Sequence, residues 1–505
     1  MPAMLCNVRG GSWACSDHER AYHHCVVLNG EGEAKVDPLT SVDEVTRLAA
    51  VMATVKRAAH SVSPSAATQP GPSRRGGFNL HVPVSMSNEQ WYARVKLQSF
   101  GPRTLHERMM ANEWATLGVL GDMLPEFVPR ALMPKHQSGD ELLFFIQRVE
   151  GRSVHDYTTP FTTAQFSRLI NDLATVYIRL ASRKFTGIGS LTSTGAVGPL
   201  SGPAGTTVRP IFFSAPRGPF ATAKERYLAQ IDHVLDLIER GAWSRQDAVG
   251  AYLFHLELRA LVEGCAEMGE LGPTYLAHGD DRGDHIFIRP DGGIAGVIDW
   301  ELAYTAPLAE AMCPRFLSSS SSNAPSPLEE ALCAALVSRG HPELAAAIPR
   351  GRKHLRLNLL LGSGVRELDA QRVWLVRHAF LGDAAGPPHK SLREWLREAR
   401  ETYAAHEGLQ RVMATVDAPT SRRARLYLID LERREVLARR PSPASSRSST
   451  PTLAAEDDNE KADDWVFVIT PPAEAALEKP KPRSLFRKLS TKALAGWRGA
   501  TKVAS

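Results

Sequence analysis

Apolar and polar positions fall into a regular order from Gly76 onward. "FNLHVPVSM" and "WYARVKLQ" alternate or cluster apolar residues over strand length. "SNEQ", Ser87 to Gln90, carries the polar residues of a hairpin turn between them. "HERMMANEWATLGVLGDML" then repeats apolar residues at helical spacing through Met109, Trp114, Leu117 and Leu120, and "ELLFFIQRV" returns to strand. Two strands, a helix and a strand predict a small α+β lobe over residues 76–150. From 151 to 415 the pattern is mainly helical, with amphipathic runs in "TAQFSRLINDLATVYIRLAS", "TAKERYLAQIDHVLDLIERGA" and "AYLFHLELRALVEGCAEM", and helices resuming from Pro327 to about Thr415. One apolar stretch there is not helical. "IFIRPDGGIAGVID" reads as strand, turn at Asp291-Gly292-Gly293, and strand.

The two ends of the chain read differently. "DPLTSVDEVTRLAAVMATVKRAA" predicts one helix capped by Thr40 or Ser41. "HSVSPSAATQPGPSRRGG" follows it as a linker, since Pro, Ser and Gly cannot build a core. Residues 1–75 are therefore expected to be an N-terminal extension. Residues 416–505 are expected to be a largely disordered C-terminal extension, on the composition of "RRPSPASSRSSTPTLAAEDDNEKADD".

Composition narrows the function classes. A chain of 505 residues has room for two or three domains. No stretch approaches a membrane-spanning helix, and the first residues lack the apolar run of a signal peptide. Six cysteines do not suggest a disulfide framework, so a reducing, cytoplasmic setting is expected. The cluster Cys15, His18, His23, His24 and Cys25 has spacing that fits no standard zinc finger, and no metal site is read from it. The net charge of +5 is concentrated at one end: Lys479 to Ser505 holds eight Lys or Arg and no acid, which leaves the remainder at about −3. A nearly neutral body gives no support to nucleic-acid binding.

The chemistry gathers in "HGDDRGDHIFIRPDGGIAGVIDWE". A hairpin over the apolar strands returns Asp299 towards Asp280. Two carboxylates facing one cleft from a hairpin's two ends is how phosphotransferases hold magnesium and a nucleophile together. His278-Gly279-Asp280 followed by Asp299-Trp300-Glu301 resembles the aminoglycoside phosphotransferase and choline kinase family. "GGFNLHVPVSMSNEQWYARVKL" resembles the nucleotide-lobe strands of its fungal-type branch. The resemblance implies a protein-kinase-like fold with a small β-rich lobe and a larger helical one. It also implies an enzyme that uses ATP and Mg2+ to phosphorylate the hydroxyl of a small-molecule acceptor.

Roles follow residue by residue from that resemblance. Asp280 would accept or orient the acceptor's proton, and Arg282 would offset charge on the transferred phosphoryl group. Asp299 would bind magnesium. His285 stands where the family has Asn and would be the second metal position, although magnesium prefers oxygen. Gly76 and Gly77 would let the backbone pass close to phosphates. Arg94 would take the place of the nucleotide-binding Lys, with Lys96 on the same strand face as the alternative. Glu113, or else Glu107, would be the helix acid that pairs with this cation. His285 and the atypical glycine pair favour a second reading, a catalytically inactive kinase-like binding or scaffold protein. Intact Asp280 and Asp299 oppose it.

Two segments of the tail carry their own patterns. Trp465-Val466-Phe467-Val468, after acidic residues, resembles the motif that docks on ubiquitin-like autophagy partners by strand addition. Within residues 483–503, Phe486, Leu489, Ala493, Trp497 and Ala500 share one face of a basic amphipathic helix. That pattern suits weak attachment to an anionic membrane surface, or else a solvated tail, and Ser490 beside Arg487 and Lys488 is a place where phosphorylation would weaken attachment.

Overall fold

The structure is a computed structural model. It describes residues 42–68, 78–97, 103–135, 141–155, 161–201, 217–241, 248–319, 321–361 and 368–417, together with the backbone of short strands at 3–7, 26–28, 34–36 and 74–75. The Cys/His cluster at 15–25, Gly76, Gly77, Trp465–Val468 and the basic segment 483–503 lie outside the described residues. Among the described residues no helix is long and apolar enough to cross a membrane.

The small lobe is an antiparallel sheet with a helix on each side. Strands β1 (Asn79–Met86) and β2 (Glu89–Lys96) form the predicted hairpin, with Leu80 opposite Val95 and His81 opposite Arg94. The turn is tighter than the four residues "SNEQ". Only Ser87 and Asn88 lie between the strands, both with positive φ, as two-residue hairpin loops require. Strand β3 (Leu143–Gln147) pairs with β2, and helix α2 (Arg103–Met123) crosses the cleft side of the sheet.

The period of two sorts β1 and β2 into an apolar back and a polar front. Leu80, Val82, Val84, Trp91, Ala93 and Val95 are buried on the back. They are covered by helix α1 (Val42–Val62), whose Val51, Met52, Val55, Ala58 and Ala59 join the same core. Ala67–Thr68 pairs with β1 as an extra strand. A helix read as part of an extension thus supplies one wall of the small lobe, and part of the segment read as a linker belongs to its sheet.

The large lobe is mainly helical. Helix α3 (Thr163–Ser182) starts at a capping box, with the Thr162 side chain accepting from the Gln165 backbone N–H and the Gln165 side chain accepting from the Thr162 N–H. Helices α4 (Ala223–Glu239) and α5 (Ala248–Gly264) pack together on the same core. Six more helices follow between Pro327 and Asp417, where the sequence predicts them. Together these elements make an α+β fold, a small β-rich lobe beside a larger, mainly helical one.

Two small antiparallel pairings position the motif. Strand β4 (Pro273–Ala277) pairs with β7 (Tyr304–Pro307), setting Ala277 opposite Tyr304. The residue before "HGD" therefore faces the residue that ends the turn after "DWE". Between them, β5 (Ile286–Ile288) and β6 (Ile294–Val297) form the predicted hairpin. Its turn rests on α3. Gly292 has φ +86°, and a Cβ there would come within 2.5 Å of the Gln165 carbonyl oxygen. Asp172 accepts the Ile294 N–H at 2.8 Å.

Candidate active site

The loop 278–285 and the turn 299–302 meet beneath the polar face of the small-lobe sheet. His278 Nε2 bonds the Ile298 carbonyl at 2.8 Å, and its ring packs on Trp300 at 4.7 Å between centroids. Gly279 has φ +83°, and an added Cβ would meet the Leu302 carbonyl oxygen at 2.1 Å. That contact leaves no room here for the Arg that protein kinases carry between His and Asp. Asp299 is itself left-handed, with φ +67°, so its carboxylate turns out of the hairpin into the cleft.

Arg94 is the centre of the arrangement and is only 5% exposed. Its Nε donates to the Glu113 carboxylate at 3.0 Å. Its Nη2 donates to Asp299 Oδ1 at 2.6 Å and to Glu301 Oε2 at 3.0 Å. Its Nη1 lies 2.8 Å from His81 Nε2. Lys96 pairs with the other Glu301 oxygen, and the Asn79 side-chain amide also donates to Glu301. The alternative between Arg94 and Lys96 is thus not exclusive: both face the cleft and both contact a carboxylate of the "DWE" turn. Glu107 instead pairs with Arg103 on the exposed side of α2.

Charge and burial set the protonation states. Burial pulls against Arg94 carrying charge, but Glu113 and Asp299 outweigh it and hold the guanidinium ionised. Burial pushes Lys96 down to about 7; Glu113 and Asp299 oppose the fall, and Arg94 adds to it. Burial raises Glu113, with Arg94 and Lys96 opposing. Desolvation would also raise Asp299, yet Arg94 overrides it and holds the carboxyl at about 2. The Asp299 side chain is 48% exposed, so the charge of Arg94 is the dominant influence on it.

Asp280 sits across the same cleft. Burial lifts its carboxyl to about 6; Arg282 opposes the rise and the negative charge of Asp299 adds to it. Arg282 bonds Asp280 Oδ2 at 3.0 Å and lies 3.3 Å from Asp284. Asp281 points into the protein. It accepts the Arg315 backbone N–H at 3.2 Å, and burial raises it to about 7.

His285, expected as the second metal position, lies inside the loop. The ring is 5% exposed. Its Nδ1 accepts the Gly283 N–H at 3.3 Å, and its Nε2 lies 3.2 Å from Asp281 Oδ1. Its Nδ1 is engaged inside the loop, and burial favours the neutral ring.

Glu301 and Asn79 are site residues that sequence reasoning missed. Glu301 carried a signal: an acid inside the apolar run "VIDWELAY" has to find a partner. Among the described residues no group of three or more His, Cys, Asp or Glu could hold a metal ion. Two cavities, of about 320 and 740 Å3, lie elsewhere, around Glu257 and Trp395 and around Trp91 and Trp114; neither is lined by Asp280 or Asp299.

No family model and no curated protein matches the chain. Solved structures do. The crystal structure of aminoglycoside phosphotransferase APH(4)-Ia is 15% identical, with 72% of this chain and 98% of that chain covered and a TM-score of 0.39. A thermostable mutant of that protein, in ternary complex with AMP-PNP and hygromycin B, is 16% identical over 68% of this chain and 91% of that chain, at 0.37. The GDP complex of wild-type aminoglycoside 2'-phosphotransferase-IIIa is 13% identical over 71% and 97%, at 0.39.

Proposed function

We propose that the protein is an ATP- and Mg2+-dependent phosphotransferase acting on a hydroxyl of a small molecule, of the fungal-type branch whose strand pattern it resembles. The observation that carries this reading is Arg94, which bonds Glu113 and Asp299 at once, at 3.0 and 2.6 Å. These two bonds bring the helix acid, the sheet cation and the metal-position acid to one place, the set of groups that phosphoryl transfer draws on.

The donor set fits the implied cation. Asp299 is a half-exposed carboxylate that stays ionised down to about pH 2, and magnesium is commonly held by one or two carboxylates with phosphate oxygens completing its shell. When bound, the ion would neutralise charge on the nucleotide phosphates. The chain's own residues do the rest. Asp280 takes the acceptor's proton as its oxygen bonds the terminal phosphorus and the bond to the leaving diphosphate breaks. Arg282 offsets charge beside it, and Arg94 and Lys96 attract the triphosphate from the sheet. One fold serves many acceptors, so antibiotic substrates do not follow.

The engaged ring of His285 favours a second reading, a kinase-like protein that binds nucleotide without turnover. ADP release across a panel of hydroxylated metabolites separates the two. Turnover with any acceptor that vanishes in Asp280→Asn supports the enzyme. A Mg2+-dependent thermal shift with ATP but no turnover supports the binder, and no shift at all sinks both.

A further inference from the structure

Building on the phosphotransferase reading, we infer that Arg94 and the metal compete for Asp299, and that Glu301 is the positioning residue that keeps Arg94 and Lys96 at the cleft once the metal has entered. The Nη2 group of Arg94 is shared between two carboxylates. Asp299 Oδ1 accepts at 2.6 Å and Glu301 Oε2 at 3.0 Å. The two acids differ in access. Glu301 is 3% exposed, and the Asp299 side chain is 48% exposed. An ion arriving from solvent reaches Asp299 and not Glu301.

The charges give the direction of the exchange. Two cations, Arg94 and Lys96, face three carboxyl groups, Glu113, Asp299 and Glu301, so acids outnumber bases in the cluster. A divalent cation at Asp299 adds two positive charges there and repels the guanidinium that donates to the same carboxylate at 2.6 Å. Arg94 then keeps two anchors, Glu113 and Glu301. Lys96 keeps Glu301, and Asn79 donates to the same carboxylate. Without Glu301, Arg94 leans on Asp299 more strongly before the metal enters and is held by Glu113 alone afterwards. Lys96 loses its ion pair. Glu301 therefore acts through the two basic side chains: it weakens the competitor for the metal and then holds Arg94 and Lys96 towards the incoming phosphates.

The test is a direct titration of Mn2+, followed by electron paramagnetic resonance, against the full chain without nucleotide. Wild type is expected to bind Mn2+ weakly. Arg94→Gln should tighten binding about tenfold, because its competitor is gone, and Asp299→Asn should abolish it. Glu301→Gln should weaken Mn2+ binding about threefold to tenfold and raise KM for ATP more than it lowers kcat. Arg94→Lys, which keeps a charge but lacks the fork, should fall between wild type and Arg94→Gln, and it reads the same competition if Arg94→Gln does not fold. Unchanged or weaker Mn2+ affinity in both Arg94 variants, with Asp299→Asn still abolishing binding, overturns the competition and leaves the phosphotransferase reading standing. Wild-type Mn2+ affinity in a folded Glu301→Gln reduces Glu301 to a structural residue. Mn2+ binding that survives Asp299→Asn overturns this inference and the metal assignment together.

Discussion

Two buried clusters of charge sit in the large lobe and at its border, and they differ at one edge. In the first, Glu310 Oε1 takes bonds from Arg226, Tyr227, Tyr304 and Asn358, at 2.6 to 3.2 Å. Arg226 and Glu310 are 0% and 3% exposed, and His354 closes the remaining side. In the second, Arg94 and Lys96 meet Glu113, Glu301 and Asp299, and Asp299 alone is open to solvent. Both contain a guanidinium, at least one carboxylate and a histidine. What separates them is whether every charge is shut away from solvent. A sealed cluster fixes helices to one another. A cluster with one open carboxylate can exchange a partner, and only exchange gives chemistry.

The largest expected effects break the two clusters in opposite ways. Asp280→Asn, facing the open cluster, should lower turnover by roughly 10²–10⁴-fold in a steady-state assay with a responsive acceptor. Asp299→Asn should abolish turnover with little loss of stability, since Arg94 keeps Glu113 and Glu301. Arg226→Met should do the reverse: it strands the Glu310 carboxylate, which Arg226 holds at about 2 against its burial, and should cost about 3–5 kcal/mol in denaturant unfolding. If Asp299→Asn unfolds the protein as readily as Arg226→Met, the distinction between open and sealed clusters is lost.

A smaller effect tests what frames the open cluster. Arg94 and Lys96 lie on the front of a strand whose back packs on α1, where Val55 is fully buried. Val55→Ala should cost about 1–3 kcal/mol. A surface residue of a detached extension would cost under about 0.5 kcal/mol, so urea unfolding decides the point.

The sequence was most informative where periodicity and charge coincide. The period of two put Arg94 and Lys96 on one face, and the hairpin over "IFIRPDGGIAGVID" was legible from its turn residues. Three features were not legible, each for a physical reason. The helix at 42–62 looked detached because Pro, Ser and Gly follow it, yet its apolar stripe needed a partner that no local pattern names. His285 stands at a ligand's spacing, but which way its ring faces depends on Asp281 and the Gly283 N–H. Glu301 is the second acid of "DWE", and the sequence marks only that an acid in an apolar run needs a buried partner, not that the partners are Arg94 and Lys96 from a distant strand.

The smallest expected effect is the most specific to the open cluster. Asp280 has to be ionised to take a proton, and burial has raised its carboxyl to about 6. Turnover should therefore fall as pH drops through about 6, about tenfold per pH unit well below it, as the carboxylate takes up one proton. Arg282 bonds this carboxylate at 3.0 Å and opposes the rise. Arg282→Gln removes the cation and favours the neutral acid, so the midpoint should move upward, by less than about one unit because the arginine is exposed. The shift should shrink as salt is added, since a partner in solvent is screened while burial is not. An acid limb of kcat/KM that stays in place in Arg282→Gln, or one that moves downward, would mean that a group other than Asp280 carries the proton.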